Sequence, residues 1–199
     1  MSDLSPRALA MEQTRRRILD VALETLGRDP DAGMAEVAAA AAVVRRTVYG
    51  YFPTRADLVR TLARQAVDEM SAVLAEVDAS AGSPDVAWAD FVSRLWPLAH
   101  RYRVLIALRR GEFGHEIHAL LEPVDASLAA LVLRGQDDGS FSRHLPSRVL
   151  SQIAFSSVFS VADAGLDDAR AGVAAAVVTS LLVLGVPQAR ARDLAAATA

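Results

Sequence analysis

The 199-residue chain has no cysteine, which excludes disulfides and thiolate metal sites and makes a reducing compartment its natural setting. It has no lysine either, so all 21 basic residues are arginine. Together with heavy alanine usage this points to a GC-rich coding sequence. Chemically it supplies planar, bidentate hydrogen bonding to phosphate and guanine that lysine cannot reproduce. No uncharged apolar stretch reaches the ~18 residues that a membrane span needs. The nearest approach, residues 173–186, is interrupted by Thr179, Ser180 and Gly185 and suits a buried packing helix. The N-terminal MSDLSPRALAMEQTRRR lacks the apolar core of a secretory leader, so a cytoplasmic location is expected.

Strand-like alternation is also scarce, and glycine and proline punctuate what reads as an all-α protein. A first helix over 11–27 places Ile18, Ala22, Leu23 and Leu26 on one side, with Arg15, Arg16 and Arg17 near its start. A short helix over 34–41 turns Val37 and Ala38 inward, and Val43 plugs the turn before another short helix over 44–52. Pro53 ends that helix, Thr54 is placed to cap the next, and Asp57 brings negative charge to its start. The next helix, over 55–77, links the two halves of the chain. Ser83 and Pro84 then form a helix-start signal for a second, larger domain. Further helices are expected over 84–96, 97–110, 115–134, 146–164 and 167–184. Residues 187–199 read as a frayed end whose removal should matter little.

The net charge of -3 does not by itself announce a nucleic-acid partner, but its distribution is uneven. Residues 1–64 carry ten arginines and eight acids (+2), while residues 65–199 carry eleven and sixteen (-5). Within the basic half, Val48 and Phe52 share one helical stripe, and Arg45, Thr47, Tyr49 and Tyr51 turn to the flanks or the opposite side. An arginine-bearing, aromatic-rich helix of this size fits the major groove of DNA.

From about Thr14 to Leu62 the run TRRRILDVALETL, AEVAAAA, RRTVYGYF and PTRADL resembles the DNA-binding domain of the TetR (tetracycline-repressor) family of bacterial transcriptional regulators. The resemblance covers roughly the first third of the chain. It implies a three-helix helix-turn-helix domain over 1–54, a connecting helix over 55–77, and a helical ligand-binding and dimerisation domain over 78–199. It implies a homodimer that binds a palindromic double-stranded operator and is released by a small-molecule effector, most simply as a repressor. The residues expected to meet DNA are Arg45, Arg46, Thr47, Tyr49, Gly50, Tyr51 and Arg55. Arg45 and Arg46 suit guanine edges, Thr47, Tyr49 and Tyr51 suit backbone oxygens, Gly50 admits close approach, and Arg55 suits a phosphate. Two positions depart from the family pattern: Ala42 stands where glycine is usual in the turn, and Val44 where a capping serine or threonine is usual.

The second domain offers Trp88, Phe91, Trp96, Tyr102, Phe113, Phe155 and Phe159 as candidates to line an effector pocket, each weighed against ordinary core packing. The small residues of 146–164 and 167–184 suit a closely packed antiparallel pair, and two such pairs make a four-helix dimer interface. An enzyme is the rival from another class, resting on His115, Glu116 and His118 with His100 nearby. That spacing is not the HExxH zinc signature, and histidines at a helix start are usually solvated or capping. No catalytic residue, metal or cofactor is therefore expected. A second rival keeps the helical, ligand-binding dimer but loses operator binding, motivated by Ala42 and Val44.

Overall fold

The computed structural model describes residues 5–79, 82–109, 113–164, 166 and 168–198. The described residues form ten helices and no strand, as the absence of alternation requires. They fall into two compact units. One comprises the chain up to Gln65 together with Val104–Ile117, and the other comprises Ala66–Arg103 with His118 onward.

In the first unit α1 spans Pro6–Arg28, α2 Met34–Ala40 and α3 Arg45–Tyr51, and α4 (Arg55–Ala79) begins there. Helix α1 starts five residues before the expected point. Ser5 accepts from the Ala8 amide at 3.3 Å and Pro6 occupies the first turn, the same Ser-Pro signal that opens the later helix at Ser83 and Pro84. Ile18, Leu19, Ala22, Leu23 and Leu26 of α1 are buried with Val37, Ala38, Val48, Phe52, Leu58 and Leu62, giving this small unit one apolar centre. At the start of α4 the Asp57 amide donates to Thr54 Oγ1 and the Thr54 amide donates to Asp57 Oδ2, both at 3.1 Å, a reciprocal cap.

The second unit holds the rest of α4, then α5 (Pro84–Arg101), most of α7 (Gly114–Asp138), α8 (Ser147–Asp163), α9 (Ala169–Val183) and α10 (Gln188–Thr198), while α6 (Val104–Arg109) lies in the first. Helix α5 packs against α8, α9 and α10, and α9 packs against α8 and α10. Between α5 and α9 the Trp96 ring lies over Gly172, where an added Cβ would meet its Cζ2 at 2.5 Å. The Trp88 indole N–H donates to Ser180 Oγ at 3.0 Å, so the largest buried ring has its one polar atom satisfied.

Two expectations need correction here. The break expected between Trp96 and Pro97 does not occur, and α5 runs through Pro97 to Arg101. A proline deletes one helical hydrogen bond, but Leu95, Trp96 and Ala99 are buried around it and tertiary packing outweighs the local loss. The expected frayed end is instead α10, whose Ala191, Leu194 and Ala195 are buried. Arg190 Nε donates to Asp85 Oδ2 at 2.8 Å, tying α10 to the start of α5. Of the expected loops, Ser80 and Ala81, Gly111 and Glu112, and Gly165 and Asp167 lie outside the described residues.

Candidate nucleic-acid interface

The turn between α2 and α3 is built without glycine. Ala42 takes φ +53°, the left-handed region, while the Ala42 amide donates to Ala39 O at 3.1 Å and the Val43 amide to Ala38 O at 3.0 Å. This is the paired hydrogen-bond pattern that closes a helix through a left-handed residue, normally glycine. The substitution therefore leaves the turn geometry in place at a local cost of about 1–2 kcal/mol. Val44 then enters α3 in an extended conformation with no side-chain cap, and it is 69 % exposed.

Helix α3 has a buried side and an open side, as the spacing requires. Val48 and Phe52 are buried, and the Arg15 guanidinium lies over the Phe52 ring at 5.8 Å. Arg45, Arg46, Tyr49 and Gly50 are exposed, and an added Cβ at Gly50 would meet only open space. Neither Arg45 nor Arg46 has an acidic partner among the described residues. Two adjacent guanidiniums thus stand uncompensated at the start of a helix, beside one exposed tyrosine ring, with Thr47 half-buried next to them.

The two remaining candidates are engaged within the protein. Tyr51 is half-buried, and its hydroxyl donates to the Met11 carbonyl at 3.1 Å, fastening α3 to α1. Arg55 donates through Nε to Ala32 O at 3.1 Å and through a terminal nitrogen to Pro30 O, and its guanidinium lies 5.2 Å from the centre of the Phe113 ring. One arginine therefore holds the loop before α2, the start of α4 and the 104–117 segment together. Arg60 reinforces this, reaching Asp57 at 2.9 Å and Glu116 at 3.0 Å. Glu116 lies 56 residues from Arg60 in the sequence, so no local spacing reveals the pair.

Of the seven aromatics proposed for a pocket, Phe113 belongs to the first unit and the other six to the second. Trp88, Phe91 and Phe155 are buried and join half-buried Phe159 in a row, with centroids 6.2, 6.2 and 5.0 Å apart in that order. Trp96 meets His100 edge to face at 4.6 Å, and the Tyr102 hydroxyl donates to Glu69 at 2.7 Å. Among the described residues no group of three His, Asp or Glu side chains could hold a metal ion.

Residues 18–62 match the family model described as bacterial regulatory proteins, tetR family. The HTH-type transcriptional repressor LfrR of Mycolicibacterium smegmatis is 42% identical over 87 residues. Residues 18–62 are thus a tetR-family segment, and the likeness to LfrR extends it over 87 residues. The matched stretch covers 44% of this chain and 46% of LfrR, so it spans less than half the length of that curated relative. The likeness of the chain to solved structures runs further. The crystal structure of LfrR from Mycobacterium smegmatis in complex with proflavine superposes with a TM-score of 0.64 and 28% identity, covering 84% of this chain and 96% of that one. A gamma-butyrolactone receptor superposes with a TM-score of 0.73 over 95% of this chain and 98% of that one, at 16% identity, which shows a shared fold. No helix among the described residues is long and apolar enough to cross a membrane.

Proposed function

We propose that this protein is a ligand-responsive transcriptional regulator that binds a palindromic DNA operator as a homodimer, acts most simply as a repressor, and is not an enzyme. The observation that carries this reading is the open side of α3. Arg45 and Arg46 stand there without acidic partners among the described residues, next to exposed Tyr49 and Gly50, on a helix anchored from behind by Val48 and Phe52. Such a helix enters the major groove with its first turn against base edges. Arg45 and Arg46 read guanine, Tyr49 and Thr47 position the helix on the backbone, and Gly50 admits the groove wall. Tyr51 and Arg55, each hydrogen-bonded to a backbone carbonyl of the first unit, hold the reading surface in place and face the backbone beside it.

One such helix covers too few base pairs for tight specific binding, so two are needed about 34 Å apart on a palindrome. The exposed side of α8 and α9 supplies the dimer surface. Val149, Ile153, Ser156 and Ser160 form one stripe on α8, and Thr179 and Leu182 are exposed on α9. Helix α4 contributes to both units and is the covalent path by which an effector bound in the second unit reaches the first. A coupling of roughly 1–3 kcal/mol between effector and operator suffices for release.

The test begins with selection of bound sequences from a randomised duplex pool by the purified full-length protein. Arg45→Ala is then expected to weaken the selected site about tenfold to a hundredfold and to relax the preference at one base position, with non-specific binding little changed. Failure to enrich any palindrome, with Arg45→Ala indistinguishable from the parent, favours the helical ligand-binding dimer without an operator.

A further inference from the structure

The reading head lacks two of the side-chain types that base recognition uses. In the major groove adenine shows an acceptor beside a donor, which the amide of asparagine or glutamine matches, and cytosine shows a donor, which a carboxylate accepts. The whole chain has no asparagine, and the glutamines of the first unit, Gln13 and Gln65, lie on α1 and α4. Within 34–51 the one acid is Glu36, and its Oε2 accepts from the Gly33 amide at 3.1 Å. Helix α3 and the turn before it therefore offer guanidinium, hydroxyl and aliphatic carbon. Guanidinium matches the paired acceptors of guanine, and aliphatic carbon matches the 5-methyl group of thymine.

The aliphatic carbon is that of Val44. It is the most exposed large apolar side chain among the described residues, and it immediately precedes Arg45 and Arg46. Val43 is half-buried in the turn and Val48 is fully buried, so the core of the unit is filled without it. Nor does the helix use it. Val44 occupies the N-cap of α3 in extended backbone with no side-chain hydrogen bond, where serine, threonine or aspartate would stabilise the first turn. A lone exposed valine is ordinary on a protein surface. This one stands at the end of the helix that meets base edges, in place of a cap.

We infer that Val44 is a specificity-determining residue that packs on the 5-methyl group of a thymine, beside guanine held by Arg45 and Arg46. Each operator half-site is then read through guanine and thymine, and not through adenine or cytosine. The inference rests on the DNA-binding reading above and adds to it a residue and a class of base. Uracil pairs as thymine does and keeps the same O4 acceptor, so a single substitution in the duplex isolates the methyl group.

The experiment starts from the duplex that the full-length protein selects. Within one half-site each thymine is replaced in turn by deoxyuridine, each guanine by 7-deazaguanine and each adenine by 7-deazaadenine, and affinities are compared at one salt concentration. The expected result is a loss of roughly threefold to tenfold at one thymine, the size of one methyl group withdrawn from an apolar contact. A larger loss is expected at a guanine, and none at adenine. Val44→Ser removes the methyl groups and supplies a capping hydroxyl, so it is expected to fold at least as stably as the parent and to bind the thymine and uracil duplexes equally. A selected half-site without thymine, uracil tolerated at every thymine, a thymine preference that survives in Val44→Ser, or a loss at 7-deazaadenine as large as that at 7-deazaguanine, overturns the inference and leaves the regulator reading intact. Selection of no duplex at all would remove that reading and this inference with it.

Discussion

Ala42 shows how a single residue tunes the reading head. Its left-handed backbone is the conformation that a glycine adopts freely and an alanine adopts with its Cβ crowded against the following carbonyl. Ala42→Gly is therefore expected to stabilise the protein by roughly 0.5–1 kcal/mol after the greater freedom of glycine in the unfolded chain is counted. Thermal unfolding of the two proteins checks this, and a lower melting temperature for the glycine variant would show that the turn is held without strain. Val44 is the complementary case. Its exposed side chain caps nothing, and Val44→Thr is expected to add about 1 kcal/mol through a hydrogen bond to an amide of the first turn. Arg45 and Arg55 have the same chemistry and are ten residues apart, yet one is open to solvent and the other grips Ala32 O and Pro30 O. The difference is tertiary, and residue type carries no trace of it.

At the scale of elements, α10 is the clearest case of structure made by packing. Its sequence, QARARDLAAAT, has few large apolar residues and reads as a loose end, yet Ala191, Leu194 and Ala195 are buried. Leu194→Ala is expected to destabilise by roughly 2–4 kcal/mol, and removal of the whole helix by more. Denaturant unfolding measures both, and an unchanged midpoint on deletion would return α10 to a dispensable tail. The Asp85–Arg190 pair gives the same junction a pH dependence. Burial alone would raise the Asp85 carboxyl, but hydrogen bonds from Arg190 and Ser83, the Arg190 charge and the Val86 amide together hold it below its ordinary value. A depressed carboxyl contributes stability that is present above its unfolded pKa and lost as the pH falls through its folded one. The parent should therefore lose stability below about pH 4 more steeply than Arg190→Ala does, as read from melts across that range. The elements that were legible in the sequence carry local signals: Thr54 with Asp57, the Val48 and Phe52 stripe, and Ser83 with Pro84. Those misread depend on distant partners. Pro97 is carried through by the buried residues around it, α10 by α5 and α9, and the 104–117 segment joins the first unit through Arg55 and Arg60.

For the molecule as a whole, the exposed side of α8 and α9 bears on whether two reading heads act together. Val149, Ile153 and Leu182 are 42%, 46% and 43% exposed, large aliphatic groups open to solvent on helices whose Leu150, Val158, Val177 and Leu181 are buried. The serines that continue the α8 stripe are small enough to let a facing helix approach closely, as in a two-plus-two helical interface. In a two-fold interface each position occurs twice, so a charge placed there meets its own copy as well as an apolar surface. Ile153→Arg is expected to weaken self-association by of the order of 3 kcal/mol, seen as monomer at micromolar concentration in sedimentation where the parent is dimeric. The fold should survive, because Ile153 is exposed within the protomer and contributes little to its core. Operator affinity should fall with dimerisation while the salt-dependent, non-specific attraction of each arginine-bearing helix persists. A variant that stays dimeric and binds its operator at full strength would place the interface elsewhere on the molecule.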